Sequence, residues 1–181
     1  MSGHAGEALF PSGQVQEMLV DLARQLASRH PGAGELCLVG IRTGGAHLAF
    51  RLQAELTRQT GLTPDTGVMD ITLYRDDWTR LHSRPKVGRT AIDFAINERV
   101  VVLVDDVLYT GRTVRAALDA LIDFGRPQRI ELLVLIDRGQ RELPIQPDYV
   151  GGRVEAGPGQ VIDVELTEQG AAADQVVRRS L

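Results

Sequence analysis

The run Val101-Val102-Leu103-Val104-Asp105-Asp106-Val107-Leu108-Tyr109-Thr110-Gly111-Arg112-Thr113 constrains the fold more tightly than any other stretch of this 181-residue chain. A short β-branched segment, Arg99 to Val104, suits a strand buried on both faces of a parallel sheet. It leads into two adjacent carboxylates and then a Thr-Gly-Arg-Thr turn. From Val114 the period changes, and Val114, Ala117, Leu118, Leu121 and Ile122 share one helical face. Gly125 is expected to cap that helix in a left-handed conformation, and Pro127 bars its continuation. The turn therefore sits at the carboxyl end of a parallel strand, where open α/β sheets bind ligands.

The residue types in the turn indicate its chemistry. Backbone N–H groups at a helix N-terminus attract anions, and Gly111 lets a phosphate come close. Thr110 and Thr113 add hydroxyls, and Arg112 adds a planar fork suited to phosphate or carboxylate. Asp105 and Asp106 would repel a phosphate they faced directly. They suit hydroxyl groups or a divalent cation a few ångströms away, and a sugar phosphate offers that arrangement. The competing reading is a solvated loop after an ordinary strand. Each part of the run is common, but the whole sequence of strand, paired acids, Thr-Gly-x-Thr and amphipathic helix is far rarer.

Elsewhere, strands alternate with helices. Val15, Met18, Leu19, Leu22, Ala23 and Leu26 stripe a first helix that ends near His30-Pro31-Gly32. A strand is expected over Leu36 to Ile41, a helix over Ala46 to Arg58, and strands over Val68 to Tyr74 and Arg129 to Ile136. Val161 to Leu166 alternates apolar and acidic residues, as an edge or hood strand would. This order predicts an α/β domain with a mostly parallel sheet covered on both faces. The tail reads as irregular, and Met1 to Pro11 as a disordered lead without the features of a signal peptide.

At 43% hydrophobic and 24% charged the chain is globular in composition. It contains no apolar run of membrane-spanning length, so no membrane role is expected. Cys37 is alone within Leu36-Cys37-Leu38-Val39, which predicts a buried strand residue and a reducing, cytoplasmic setting. A net charge of −4 weighs against a protein built mainly to hold nucleic acid. Lys86 is the single lysine among 20 basic residues, a bias that can originate in codon usage.

Two further segments carry chemistry. Gly40-Ile41-Arg42-Thr43-Gly44-Gly45 repeats the strand, loop and helix arrangement. Its glycines serve either close anion approach or simply a tight turn. Asp76 to Arg89 is a long polar stretch rich in Arg, His and Pro, the composition of a lid or of a plain solvated loop.

Together these segments resemble the type I phosphoribosyltransferases, whose phosphoribosyl diphosphate (PRPP) motif the Asp105 to Thr113 run matches. The flanking blocks are similar to one branch, the PyrR proteins, which combine uracil phosphoribosyltransferase activity with RNA-dependent control of pyrimidine genes. The branch-specific matches are Asp70-Ile71-Thr72-Leu73-Tyr74-Arg75-Asp76-Asp77, Asp105 through Arg115, and Asp137-Arg138-Gly139 followed by Arg141-Glu142-Leu143-Pro144-Ile145. The likeness spans roughly Val15 to Val150.

The resemblance implies a type I phosphoribosyltransferase fold with a small hood, a flexible flap over 76–97 and one domain over 1–181. It implies that uracil and PRPP give UMP and pyrophosphate, with Mg²⁺ carried by PRPP and no direct protein ligand to the metal. Asp105 and Asp106 are then the catalytic pair. Val107, Leu108, Tyr109, Thr110, Gly111, Arg112 and Thr113 hold the 5′-phosphate and ribose. Arg42, Thr43 and Gly44 take the pyrophosphate, and Arg84, Lys86 and Arg89 reach it from the flap. Ile136, Asp137 and Arg138 meet the base, although Asp137 or Arg138 reads equally well as part of a structural ion pair. The branch usually carries Arg where this chain has Gly44. A homo-oligomer, dimer or tetramer, is also implied.

The branch's second role, a UMP-responsive RNA-binding attenuator acting on pyrimidine leader RNA, uses a basic face that is altered here. Val20, Asp21 and Arg24 stand where the family tends to have Thr, a basic residue and His. Gln140, Gln146 and Gly152 stand where His, Arg and Lys are usual. Arg24, Arg29, Arg141 and Arg153 are the remaining candidates for RNA contact, and losing cations weakens RNA affinity. A third reading is a related transferase for a purine base, or a non-catalytic nucleotide sensor on the same fold; the Asp70 to Asp77 and Asp137 to Ile145 blocks weigh against purine specificity.

Overall fold

The computed structural model describes residues 6–32, 35–76 and 88–181. Its centre is a five-stranded parallel sheet in the order β3-β2-β4-β5-β6, formed by Leu36–Ile41 (β2), Asp65–Met69 (β3), Val100–Leu108 (β4), Arg129–Asp137 (β5) and Tyr149–Arg153 (β6). Successive side chains on a strand point to opposite faces, so one apolar run supplies two cores. Leu36, Leu38, Val100, Val102, Val104, Leu133 and Leu135 pack beneath helices α1 (Ser12–Arg29) and α2 (Gly44–Thr60). Cys37, Val39, Val101, Leu103, Leu132 and Val134 pack against Val114, Ala117 and Leu121 of α3 (Arg112–Ile122) on the other face. Cys37 is fully buried, as its setting predicts, and burial pushes its thiol up to about 11.

A second, antiparallel sheet forms the hood. Its order is β1-β8-β7, from Glu7–Phe10, Gln175–Ser180 and Gln160–Glu165. Ile162, Val164, Leu166 and Val176 bury into the core on the α1 and α2 side. Arg51 of α2 clamps the hood from below. Its Nε donates to Glu168 Oε1 (2.7 Å), Nη1 to Asp174 Oδ2 (2.5 Å), and Nη2 to Asp174 Oδ1 (3.0 Å) and Thr167 Oγ1 (3.3 Å).

Four expectations change. Residues 7–10 are not disordered: they pair with β8, and Arg178 holds Glu7. The tail is not irregular, because residues 175–180 find partners far away in the chain, which local periodicity does not register. The strand expected over Val68 to Tyr74 ends at Met69, where Asp70 Oδ1 accepts the Thr72 N–H at 2.8 Å and turns the chain into a 3-10 turn at Thr72–Tyr74. Gly125 does not cap α3 in the left-handed helical conformation: the helix stops at Ile122, and Gly125 lies three residues beyond at φ 146°. Among the described residues, no helix is long and apolar enough to cross a membrane.

Candidate active site

β4 runs on past Val104 in register with β5, as far as Leu108 opposite Asp137. Asp105 and Asp106 are therefore strand residues, and the reading of them as solvated loop charges fails. Asp105 is buried and Asp106 half-buried. Asp105 Oδ1 accepts the Asp106 N–H (3.0 Å), and Asp106 Oδ1 accepts the Val107 N–H (2.8 Å). Burial pushes the Asp105 carboxyl well above the usual carboxylate range, and the adjacent Asp106 charge adds to it. Burial also raises Asp106, against hydrogen bonds from Val107 and Asp105 that favour its charge; Asp163 of β7 adds repulsion.

The glycine loop abuts this pair. A Cβ on Gly44 would fall 2.0 Å from Asp106 Oδ2 and 2.9 Å from Asp106 Cβ, and one on Gly45 would fall 2.2 Å from the Val104 carbonyl oxygen. Bare backbone is what lets the amide end of α2 reach β4, so close packing alone already requires the glycines here. Arg42 and Thr43 are exposed at the loop tip. Arg42 Nε donates to the Arg89 carbonyl oxygen (3.2 Å), which ties the loop to the segment returning at residue 88. Arg84 and Lys86 lie outside the described residues.

On the other side, Gly111 at φ 92° opens α3. The Arg112 N–H reaches Thr110 Oγ1 (3.3 Å). The Arg112 side chain is already engaged: Nε donates to Glu142 Oε2 and Nη1 to Asp76 Oδ2, both at 2.7 Å. Residues 107–113, with Arg75, Asp76 and Asp105, line a cavity of about 240 Å³.

Ile136 is buried in the core and ends beside Val107 in the sheet. Asp137 and Arg138 are buried too and line a second cavity of about 330 Å³ with Gly139, Arg153, Val154 and Glu155. The Arg138 guanidinium lies 3.8 Å over the ring of Tyr109, which lines the first cavity, so this stack joins the two. Asp137 does form an ion pair, and its partner is Arg141 rather than Arg138, at 2.7 Å.

The four arginines named for RNA contact do not form one free basic face. Arg24 pairs with Asp21, one turn away. Arg29 lies 3.6 Å from Glu131 and 3.7 Å from Asp148, over the Tyr149 ring. Arg141 is built into the loop after β5, and Arg153 lines the second cavity. Gly152 packs beneath α1, where a Cβ would fall 2.9 Å from Met18 Cε.

Five residues at the site were not singled out from the sequence. Asp70 organises the return segment: its Oδ2 accepts the Gly88 N–H, and its own N–H donates to Thr90 Oγ1 (3.0 Å). Although burial opposes it, hydrogen bonds from Thr72, then that from the Gly88 N–H and the Arg42 charge, hold the Asp70 carboxyl below its usual range. Arg75 and Asp76 line the first cavity, Glu142 holds Arg112, and the Asp163 charge acts on Asp106. Asp70, Arg75, Asp76 and Glu142 fall inside the blocks that carry the sequence resemblance, which is their available signal. Asp163 carries none, because its position depends on the hood.

A family profile for the phosphoribosyl transferase domain matches residues 13–169. The chain is 50% identical to the bifunctional protein PyrR of Desulfosudis oleivorans, over 85% of this chain and 86% of that protein. It is 49% identical to the bifunctional protein PyrR of Clostridioides difficile, over 88% and 90%. Among solved structures, the hypoxanthine phosphoribosyltransferase of Trypanosoma cruzi superposes with a TM-score of 0.73 at 18% identity, over 97% of each chain. A hypoxanthine-guanine phosphoribosyltransferase from Bacillus anthracis gives 0.71 at 18% identity, over 99% of this chain and 100% of that one. At such identities the solved structures speak for the fold alone.

Proposed function

This chain belongs to the phosphoribosyl transferase family and, within it, to the PyrR proteins, and from that premise we propose that it converts uracil and PRPP to UMP and pyrophosphate. The observation that carries this reading is the Asp105 and Asp106 pair at the end of β4, with the amide end of α2 against Asp106 and the turn into α3 four residues on. Uracil N1 bonds to the anomeric carbon as the bond to pyrophosphate breaks, and the N1 proton leaves to solvent. Positive charge gathers on the ribose ring in between. Two carboxyls that burial holds above their usual range regain a favoured charge beside such a ring, so their stabilisation is largest in the transition state.

The turn at residues 107–113 takes the 5′-phosphate, which competes with Asp76 and Glu142 for Arg112. Arg42, Thr43 and Gly44 receive the leaving pyrophosphate, and Ile136, Asp137 and Arg138 border the base. Arg84, Lys86 and Arg89 are read as flap cations. Mg²⁺ fits as a passenger on PRPP, because it binds phosphate oxygens with few protein ligands and would face the acid pair; it neutralises pyrophosphate charge when bound. The chain is read as one domain over 1–181, in the cytoplasm.

Incubating the protein with PRPP and Mg²⁺ against uracil, adenine, guanine and hypoxanthine tests the proposal. Pyrophosphate release with uracil alone is the expected result, and release only with a purine overturns it.

The second role is the regulatory one, and the engagement of Arg24, Arg29 and Arg141 by acidic partners supports its being weakened or lost. In a gel shift at physiological salt, the pyrimidine leader transcript of the source genome is expected to bind no better than an unrelated RNA. A tight complex strengthened by UMP contradicts that.

A further inference from the structure

Arg141 follows β5 in a loop that touches both halves of the candidate site, and its guanidinium joins three stretches of chain. Nε donates to the Ile145 carbonyl oxygen (3.0 Å), Nη1 to the carbonyl oxygens of Tyr109 (3.0 Å) and Gly139 (3.2 Å), and Nη2 to Asp137 Oδ1 (2.7 Å). Its side chain is only 13% exposed, and that of Asp137 only 8%. Around this joint the backbone adds its own links. The N–H groups of Glu142 and Leu143 both donate to the Thr110 carbonyl oxygen (3.0 and 3.1 Å), and that of Arg138 donates to the Leu108 carbonyl oxygen (3.1 Å). Tyr109 and Thr110 belong to the phosphate turn, whereas Asp137 and Gly139 border the second cavity.

We propose that Arg141 is a positioning residue that fixes the separation between the phosphate turn and the base-side loop, so that one nucleotide can engage both at once. This rests on the uracil phosphoribosyltransferase reading for the identity of the nucleotide. It assigns to the joint between the two cavities a residue whose charge would otherwise suggest an RNA contact. The geometry needs a planar fork that donates in several fixed directions. A lysine ammonium carries the same charge without that fork, so charge alone does not replace Arg141.

The test compares wild type, Arg141→Lys and Arg141→Gln by calorimetric titration with ribose 5-phosphate, which reaches only the turn, and with UMP, which reaches both parts. Both variants are expected to lose about tenfold in UMP affinity while ribose 5-phosphate affinity changes by less than about twofold, the signature of a lost coupling. Amide hydrogen exchange at Arg138, Glu142 and Leu143 is expected to quicken together in both variants. Wild-type UMP affinity in Arg141→Lys overturns the proposal, as does an equal loss on both ligands. A wild-type protein that takes ribose 5-phosphate but not UMP overturns the uracil reading instead. In that case unchanged exchange in the variants still overturns the role of Arg141.

Discussion

Asp106→Asn is expected to cut uracil-dependent pyrophosphate release by at least about a hundredfold, the scale of removing one preorganised electrostatic group, while the variant melts no lower than the parent. The two expectations have one cause. Asp106 holds a charge in a site where burial and the Asp163 charge disfavour it, and that charge in turn raises the Asp105 carboxyl. Asparagine keeps the shape and can still accept the Val107 N–H, so the fold loses a repulsion and little else. The ribose ring loses the charge that answers its own. Unchanged release from a folded Asp106→Asn protein overturns the assignment of Asp106. The pH dependence follows the same logic. A carboxyl raised in the folded state binds its proton more tightly there than in the unfolded chain. Its effect on stability therefore becomes less unfavourable as pH falls through the folded value toward the ordinary aspartate range. Activity moves the other way, since protonating the pair removes the useful charge. Asp174 and Glu131, held below their ordinary range, oppose this trend, and the stability they add above that range is lost as pH falls through their folded values. Comparing melts of Asp106→Asn and the parent across acidic pH isolates the contribution of the pair: the gap between them is expected to close as pH drops.

Gly44→Ala is expected to lower turnover by about tenfold or more, as a small displacement of a reacting group does. The added methyl meets Asp106 at its Oδ2, Cγ and Cβ, so rotating the carboxylate tip does not clear it. Either Asp106 leaves its hydrogen bond to the Val107 N–H or the start of α2 lifts from β4. In both cases the acid pair and the pyrophosphate loop lose their relative position. Gly44→Arg, which restores the residue usual in the branch, shares this defect and is expected to fall as well, despite the added cation. Steady-state kinetics against PRPP check both variants. Wild-type turnover in Gly44→Ala would mean that the loop is free to move and that the close contact does not govern catalysis.

Much of this arrangement was legible in the residues. The change of period at Val114 and the β-branched run before Asp105 depend on neighbours within a few positions, and both appear where they were expected. Glycine-rich loops at strand ends were legible for the same reason. What escaped was non-local. Glu7–Phe10 and Gln175–Ser180 are strands because they meet each other across almost the whole chain. Tyr149–Arg153, with its two glycines, completes the sheet edge on β5. Asp70 ends β3 with a side-chain hydrogen bond that hydropathy does not record. Arg141 is the clearest case at the site. A basic residue in a polar loop suggests a surface contact, and only the folded chain brings Tyr109, Asp137 and Ile145 within reach of one guanidinium.

The clamp that Arg51 closes on Asp174 and Glu168 has a mechanical consequence. Arg51 stands seven residues after Gly44 on the same uninterrupted helix, about 10 Å along its axis. An α-helix of this length has no soft joint, so it acts as a short lever with the hood bolted near its middle and the acid pair under its tip. Tilting the hood by a few degrees moves the start of the helix by a fraction of an ångström. Between Gly44 and Asp106 there is no room for even one added methyl group. A shift of the outer sheet that α2 carries as a rigid rod is therefore expected to change the spacing between Gly44 and Asp106.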